Sequence, residues 1–153
     1  MFTESIAIGL VFGFFFYEWV GFSPGGFVVP GYIALYWDRP IVIISTLMIS
    51  LITYGTVYLL SQVAILYGRR RFIFMIIAGF AFQWLFKLLV VKTHILNIEI
   101  DTIGYIIPGL IANEMGRQRI LPTLSSMIII SVMVRLILIV LGYLRIGEMN
   151  LFF

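Results

Sequence analysis

The chain has no cysteine, one histidine, and charged residues at only 11% of its positions. Each scarcity excludes some chemistry. Without cysteine there is no disulfide, no thiolate metal ligand and no thiol nucleophile, so the redox compartment leaves no mark on the sequence. A soluble domain carries roughly 25% charged residues. Here hydrophobic residues make up 62%, too many to cover with a polar surface, so the bilayer must be the solvent. The net charge of +3 is too small and too scattered for nucleic acid. In a membrane protein such an excess is more simply an orientation signal. The common catalytic signatures are missing as well: no Gly-x-x-x-x-Gly-Lys-Ser/Thr phosphate loop, no Ser-His-Asp series with local signatures, no His-Glu-x-x-His. No metal site is expected, no catalytic residue can be assigned, and the chain should not drive ATP chemistry alone. His94 reads as an interfacial residue, and Glu99 with Asp101 as part of a solvated loop. The start lacks the basic region and small-x-small site of a signal peptide, so the first apolar segment is expected to be retained.

What is present is a phrase stated twice. Gly26-Phe27-Val28-Val29-Pro30-Gly31-Tyr32-Ile33-Ala34 returns 78 residues later as Gly104-Tyr105-Ile106-Ile107-Pro108-Gly109-Leu110-Ile111-Ala112, with five positions identical and four exchanged between apolar residues. The offset is about half the 153 residues, so the chain reads as one membrane domain built from two units, about 1–67 and 72–145, joined by a basic cytoplasmic loop at 68–71.

About 20 residues of helix cross a hydrocarbon core, and four stretches qualify: 5–22, 41–66, 72–91 and about 122–143, the last opening on a first-turn proline, Pro122. The two phrases are strongly apolar but short and broken by Pro-Gly. Such segments at matched places in two halves point to discontinuous helices at a functional site. The expected fold is therefore an all-α integral membrane protein with four transmembrane helices plus two re-entrant half-helices at the Pro-Gly motifs and a two-fold internal repeat. Its alternative is an inverted three-plus-three repeat in which each phrase crosses. Outside the spans, Lys and Arg divide four against four in the first topology. In the second, Arg117 and Arg119 join the Arg69-Arg70-Arg71 triplet and the division is five against three. Charge favours crossing. Length opposes it, because nine to twelve helical residues cover only roughly 14 to 18 Å.

A glycine and proline pair also makes a plain helix-packing junction. Stated twice, the phrases become candidates for a shared site, with Gly26, Pro30, Gly31, Gly104, Pro108, Gly109 and the following Asn113 as structural or path residues. The physical basis is that helix N-termini carry unpaired N–H groups and a positive dipole end that favours anions. Three ionisable residues lie at membrane depth: Glu18, Lys87 and Arg135. Charges there usually face the bundle interior. Lys87 can snorkel as a helix-end anchor, and a Glu18–Arg135 pair would offset both desolvation costs.

Three blocks in register, Val28-Val29-Pro30-Gly31-Tyr32, Ile65-Leu66-Tyr67-Gly68-Arg69-Arg70-Arg71-Phe72 and Gly104 to Asn113, closely resemble the poly-γ-glutamate capsule biosynthesis family called PgsC or CapC. The resemblance covers nearly the whole chain. Glu18, both Pro-Gly phrases, Asn113 and Gly68-Arg69-Arg70 match its pattern, while Asp38, Lys87 and Arg135 depart from it. It implies a multi-pass subunit of a polyglutamate synthase in a bacterial or archaeal plasma membrane. It also implies a partner ligase that uses ATP and Mg²⁺, with no cofactor on this chain, and a further membrane-anchored subunit tied to export. The leading expectation is a non-catalytic membrane subunit. Arg69, Arg70 and Arg71 would receive ligase or nascent anionic polymer, and the paired phrases would line its path. A stand-alone small transporter built from a repeated hairpin is the alternative, and an intramembrane transferase using Glu18 or Asn113 stays open. A homo-oligomer is kept open as a further assembly of the chain.

Overall fold

A computed structural model describes residues 2–63, 68–93 and 104–151. His94, Glu99 and Asp101 lie outside these. The described residues form six helices and no strand: α1 (Phe2–Val20), α2 (Val29–Leu35), α3 (Pro40–Val63), α4 (Arg69–Thr93), α5 (Ile107–Gln118) and α6 (Ile120–Leu151). Four of them, α1, α3, α4 and α6, are long and apolar enough to cross a membrane. The 7 residues of α2 and 12 of α5 rise only about 10 and 18 Å.

The surface is apolar, with Phe15 57%, Leu59 64% and Val140 58% exposed. Much of the interior is polar. Thr46, Ser50 and Thr53 on α3, and Thr123, Ser126 and Ser131 on α6, are buried. Each hydroxyl donates to a carbonyl one turn back at 2.6–2.8 Å. A hydroxyl satisfied by its own helix needs no partner across the interface, so it can be buried at little cost and keeps the contact surface small.

Two short helices lie inside this frame. Helix α2 runs antiparallel to α1: Phe27 lies beside Gly13, while Gly31 lies beside Gly9, Ser5 and Ile6. The Ser5 hydroxyl donates to the Gly31 carbonyl at 2.8 Å. Helix α5 runs antiparallel to α4 in the same manner, with Gly109 beside Gly79, Met75 and Ile76, and Gly116 beside Arg71. Residues 21–38 therefore lead from one end of α1 to the other. The expected return of each phrase to the end it entered is not observed. For the first phrase the reason is that residues 21–28 run as loop before α2 begins, and a loop is not held to the rise of about 1.5 Å per residue of a helix.

Helices α3 and α6 each pack on helices distant in sequence. Helix α6 lies on α1 and α2, and α3 lies on α4 and α5. A central cluster of Val29, Ile33, Val42, Ile107, Ile111, Met115 and Met127 joins α2, α3, α5 and α6. The arginine triplet also departs from expectation, since Arg69 to Arg71 form the first turn of α4 rather than a loop. The turn before it is made by Gly68, whose φ of +60° suits glycine alone without strain.

Candidate functional site

The two phrases take the same local form. Each half-helix has Pro in its first turn and no side-chain cap, and its N-cap residue is right-handed helical: φ −84°, ψ −30° at Val28, and φ −89°, ψ −26° at Ile106. Proline suits that place because its missing N–H would have no helical acceptor. The first-turn N–H groups that remain are uncapped by side chains. The glycine that follows is required by contact rather than by dihedral angle. A Cβ on Gly31 would meet the Ser5 carbonyl oxygen at 2.8 Å and Ile6 Cα at 2.9 Å, and one on Gly109 would meet Met75 O and Ile76 Cα at 2.7 Å. The facing glycines are equally cramped: a Cβ on Gly9 would lie 2.7 Å from Gly31 N, and one on Gly79 would lie 2.6 Å from Gly109 N.

The half-helices meet through their beginnings. Gly25 lies against Met127 Sδ and Ile111, and Gly26 against Leu110, so the lead-in to α2 rests on the first turns of α5. Gln118, at the end of α5, fastens that lead-in. It accepts from the Ser23 N–H at 2.8 Å, donates to the Ser23 carbonyl and donates to Thr123 Oγ1 at 3.1 Å.

The expected site residues divide into groups. Pro30, Gly31, Pro108 and Gly109 are buried, and the two glycines face the backbones of α1 and α4, which makes the Pro-Gly pairs packing elements. Gly26 and Asn113 are half-buried and Gly104 is exposed. An apolar cavity of about 360 Å³ lies beside α2, lined by Ile33, Trp37, Ile44, Leu47, Met127 and Ile128 among others. Its walls suit hydrocarbon and offer an anion nothing.

Of the charges expected at membrane depth, Arg135 pairs not with Glu18 but with Asp38. Arg135 donates from Nη2 to both carboxylate oxygens of Asp38 at 2.8 and 2.9 Å, and from Nη1 to the Ala34 carbonyl at 3.3 Å. Glu18 is exposed near the C-terminal end of α1, whereas Ala34 and Asp38 follow the stretch that lies beside the α1 N-terminus. The two charges thus belong to opposite ends of the bundle. Arg135 sits at the C-terminal end of α2, where a cation is favoured by the exposed carbonyls. Arg71 holds the corresponding place on α5, its guanidinium against Gly116. Lys87 is exposed, with Nζ 5.9 Å from the centre of the Tyr105 ring.

Arg69 and Arg70 are exposed, and Arg71 half-buried. The contacts of Arg71 with Gly116, and of Gln118 with Ser23, put the triplet, Arg117 and Arg119 at one end of the bundle. Arg117 pairs with the largely buried Glu114 at 3.2 Å. Among the described residues no group of three His, Asp, Glu or Cys gathers to hold a metal ion. Sequence reasoning passed over Gln83, which is fully buried on α4 with neither Nε2 nor Oε1 hydrogen-bonded. A lone glutamine between Phe82 and Trp84 was the signal available.

Residues 8–124 match the model of the family described as capsule biosynthesis CapC. A "PGA biosynthesis protein CapC" of Bacillus subtilis (strain 168) is 38% identical over 128 residues, covering 83% of this chain and 86% of the relative. A "capsule biosynthesis protein CapC" of Bacillus anthracis is 39% identical over 136 residues, covering 86% and 91%. No solved structure matches. With a family model spanning most of the chain and relatives aligned over nearly their full length, the chain belongs to the CapC capsule biosynthesis family.

Proposed function

We propose that the chain is a multi-pass plasma-membrane subunit of a poly-γ-glutamate synthase and export complex. It docks an ATP-dependent glutamate ligase at its arginine-rich end and helps the anionic polymer across. The observation that carries this reading is the placement of Arg69 and Arg70. Both are exposed in the first turn of α4, where the positive end of the helix dipole disfavours cations by about 0.3–1 kcal/mol each. Arg71 offsets that penalty against the C-terminal end of α5; the other two are left for an anionic partner. The same end carries Arg117 and Arg119, and a surplus of arginine beside spans marks the cytoplasmic side, where a soluble ligase and its ATP and Mg²⁺ would be.

Helices α1, α2 and α3 form one unit and α4, α5 and α6 an inverted second one. Gly9 with Gly31 and Gly79 with Gly109 make the same contact, and Ser45 with Thr46 and Ser125 with Ser126 make the same hydrogen bonds, to Val42 O and Pro122 O. Both half-helices then begin within the bilayer and point their positive ends inward, an electrostatic preference for a polyanion. A further membrane-anchored subunit completes the export route. The test is Arg69→Gln with Arg70→Gln, leaving Arg71 in place. Co-purification of the ligase in mild detergent and polymer output should both fall severalfold, and unchanged values for both would refute the docking role.

A further inference from the structure

Gln83 is the one buried side chain among the described residues whose polar atoms lack any hydrogen bond. Buried polar groups are nearly always paired, and an orphan calls for an explanation. Its position supplies one. Among the residues of α4 whose burial is described, the buried ones are Met75, Gly79 and Gln83, four apart and so on one face, and the first two lie against Gly109 of α5. Tyr105 has its ring 5.2 Å from that of Phe80 and 5.9 Å from Lys87 Nζ. Those two residues flank Gln83 along α4, so Tyr105 is level with it. Gln83 is therefore on the strip of α4 that faces α5, beside the lead-in to that helix and its uncapped first turn. The first unit has Gly13 at the matching place, and a Cβ there would already be 3.5 Å from the Phe27 carbonyl. Only the second unit has an amide here.

Taken with the proposed function, on which this rests, we infer that Gln83 is the recognition residue of an intramembrane site for an amide-linked carboxylate, the repeating element of a polyglutamate chain. A carboxamide offers a donor and an acceptor together, which is the complement of an amide bond. The positive end of α5 and the Lys87 ammonium, one turn beyond Gln83, supply the potential for the carboxylate. Gln83 is fully buried, and both its donor and its acceptor are unengaged.

The experiment measures binding of γ-linked triglutamate, and of glutarate as an amide-free dianion, to the full chain in mild detergent. Wild type should bind triglutamate about tenfold or more tighter than glutarate. Gln83→Met, close in volume, should lose that margin, weakening triglutamate binding about 10- to 100-fold, while its thermal midpoint is unchanged or raised because the orphan amide is gone. Equal affinity of wild type for the two probes overturns the inference without needing any variant, and so does triglutamate binding by Gln83→Met at the wild-type level. If wild type binds no triglutamate while deletion of the chain still abolishes polymer production, the inference fails and the proposed function stands. If deletion leaves production intact, the proposed function itself fails, and the inference with it.

Discussion

Adding one methyl group to Gly109 should push α4 and α5 apart, while the same change at Gly55 should do the reverse of harm. At Gly109 the new Cβ would lie 2.7 Å from both Met75 O and Ile76 Cα. A comfortable carbon contact is about 3.5–4.0 Å, so the helices must separate by about 1 Å. The atoms struck are backbone, which cannot rotate away, so the cost belongs at the upper part of the 1–3 kcal/mol typical of overpacking. Alanine regains about 1 kcal/mol of helix propensity, leaving a net loss of about 2 kcal/mol. Gly55, on α3, has nothing within 4 Å of a built Cβ, so Gly55→Ala gains the propensity term unopposed, about 0.5–1 kcal/mol. Reversible unfolding in bicelles, followed by circular dichroism, measures both. The pair Gly79→Ala with Gly109→Ala should be less harmful than the sum of its parts, since the second methyl enters space that the first has opened. If Gly109→Ala proves no less stable than Gly55→Ala, the backbone contact described between α4 and α5 is wrong.

Three further expectations follow from single contacts. Arg135→Leu should cost about 1–2 kcal/mol, chiefly for the Ala34 carbonyl left without its donor, because Asp38 is 72% exposed at its side chain and a screened pair contributes under about 1 kcal/mol. In double-mutant cycles of unfolding, Arg135 should couple to Asp38 and be additive with Glu18; coupling to Glu18 would restore the pairing read from the sequence. Gln118→Leu strands the Ser23 N–H and C=O, buried to 6% exposure, and should cost about 2 kcal/mol or more, read as a lower thermal midpoint. Arg119, the single residue between α5 and α6, has φ +77° and ψ +163°, a region essentially reserved for glycine. Arg119→Gly should stabilise the fold by about 1 kcal/mol in the same unfolding assay, and destabilisation would show that its side chain holds the hinge.

How far the sequence discloses this fold depends on the kind of signal. Long apolar runs are local, so the four long helices are readable from composition, with limits displaced by a few residues where Pro40 and the arginine triplet turn out to be helical first turns. The twin phrases are readable as matched elements because Pro-Gly is conspicuous. Their contacts are not readable, since Gly9 and Gly79 stand 70 residues apart while the phrases stand 78 apart. The sequence from Gly79 to Gly109 is longer by eight residues than that from Gly9 to Gly31, which hides the alignment of phrase and span. The partner of Arg135 is non-local in the same way. Glu18 is the nearer guess only when residues 21–38 return to the end they left, and once they cross, Asp38 is delivered to Arg135.

Crossing also accounts for where charge is tolerated. In the proposed inverted arrangement each half-helix would begin in mid-bilayer, with its N-terminal N–H groups deep and its last carbonyls near a surface. Each described carbonyl end has a basic residue beside it, Arg135 for α2 and Arg71 for α5, and both can extend toward water. The N-terminal ends have no side-chain cap, and Lys87, 5.9 Å from the Tyr105 ring, adds positive charge beside that of α5. Val29 and Ile107, in those first turns, belong with Ile111 to the central apolar cluster, and Gln83 is buried on the facing strip of α4. On the proposed arrangement, negative helix ends met by arginine and positive ends without a side-chain cap would make the bundle electrostatically asymmetric along the membrane normal, positive toward the centre, where hydrocarbon would otherwise exclude an anion. That asymmetry would arise from two Pro-Gly breaks and the glycines that receive them, with Lys87 adding to it beside α5.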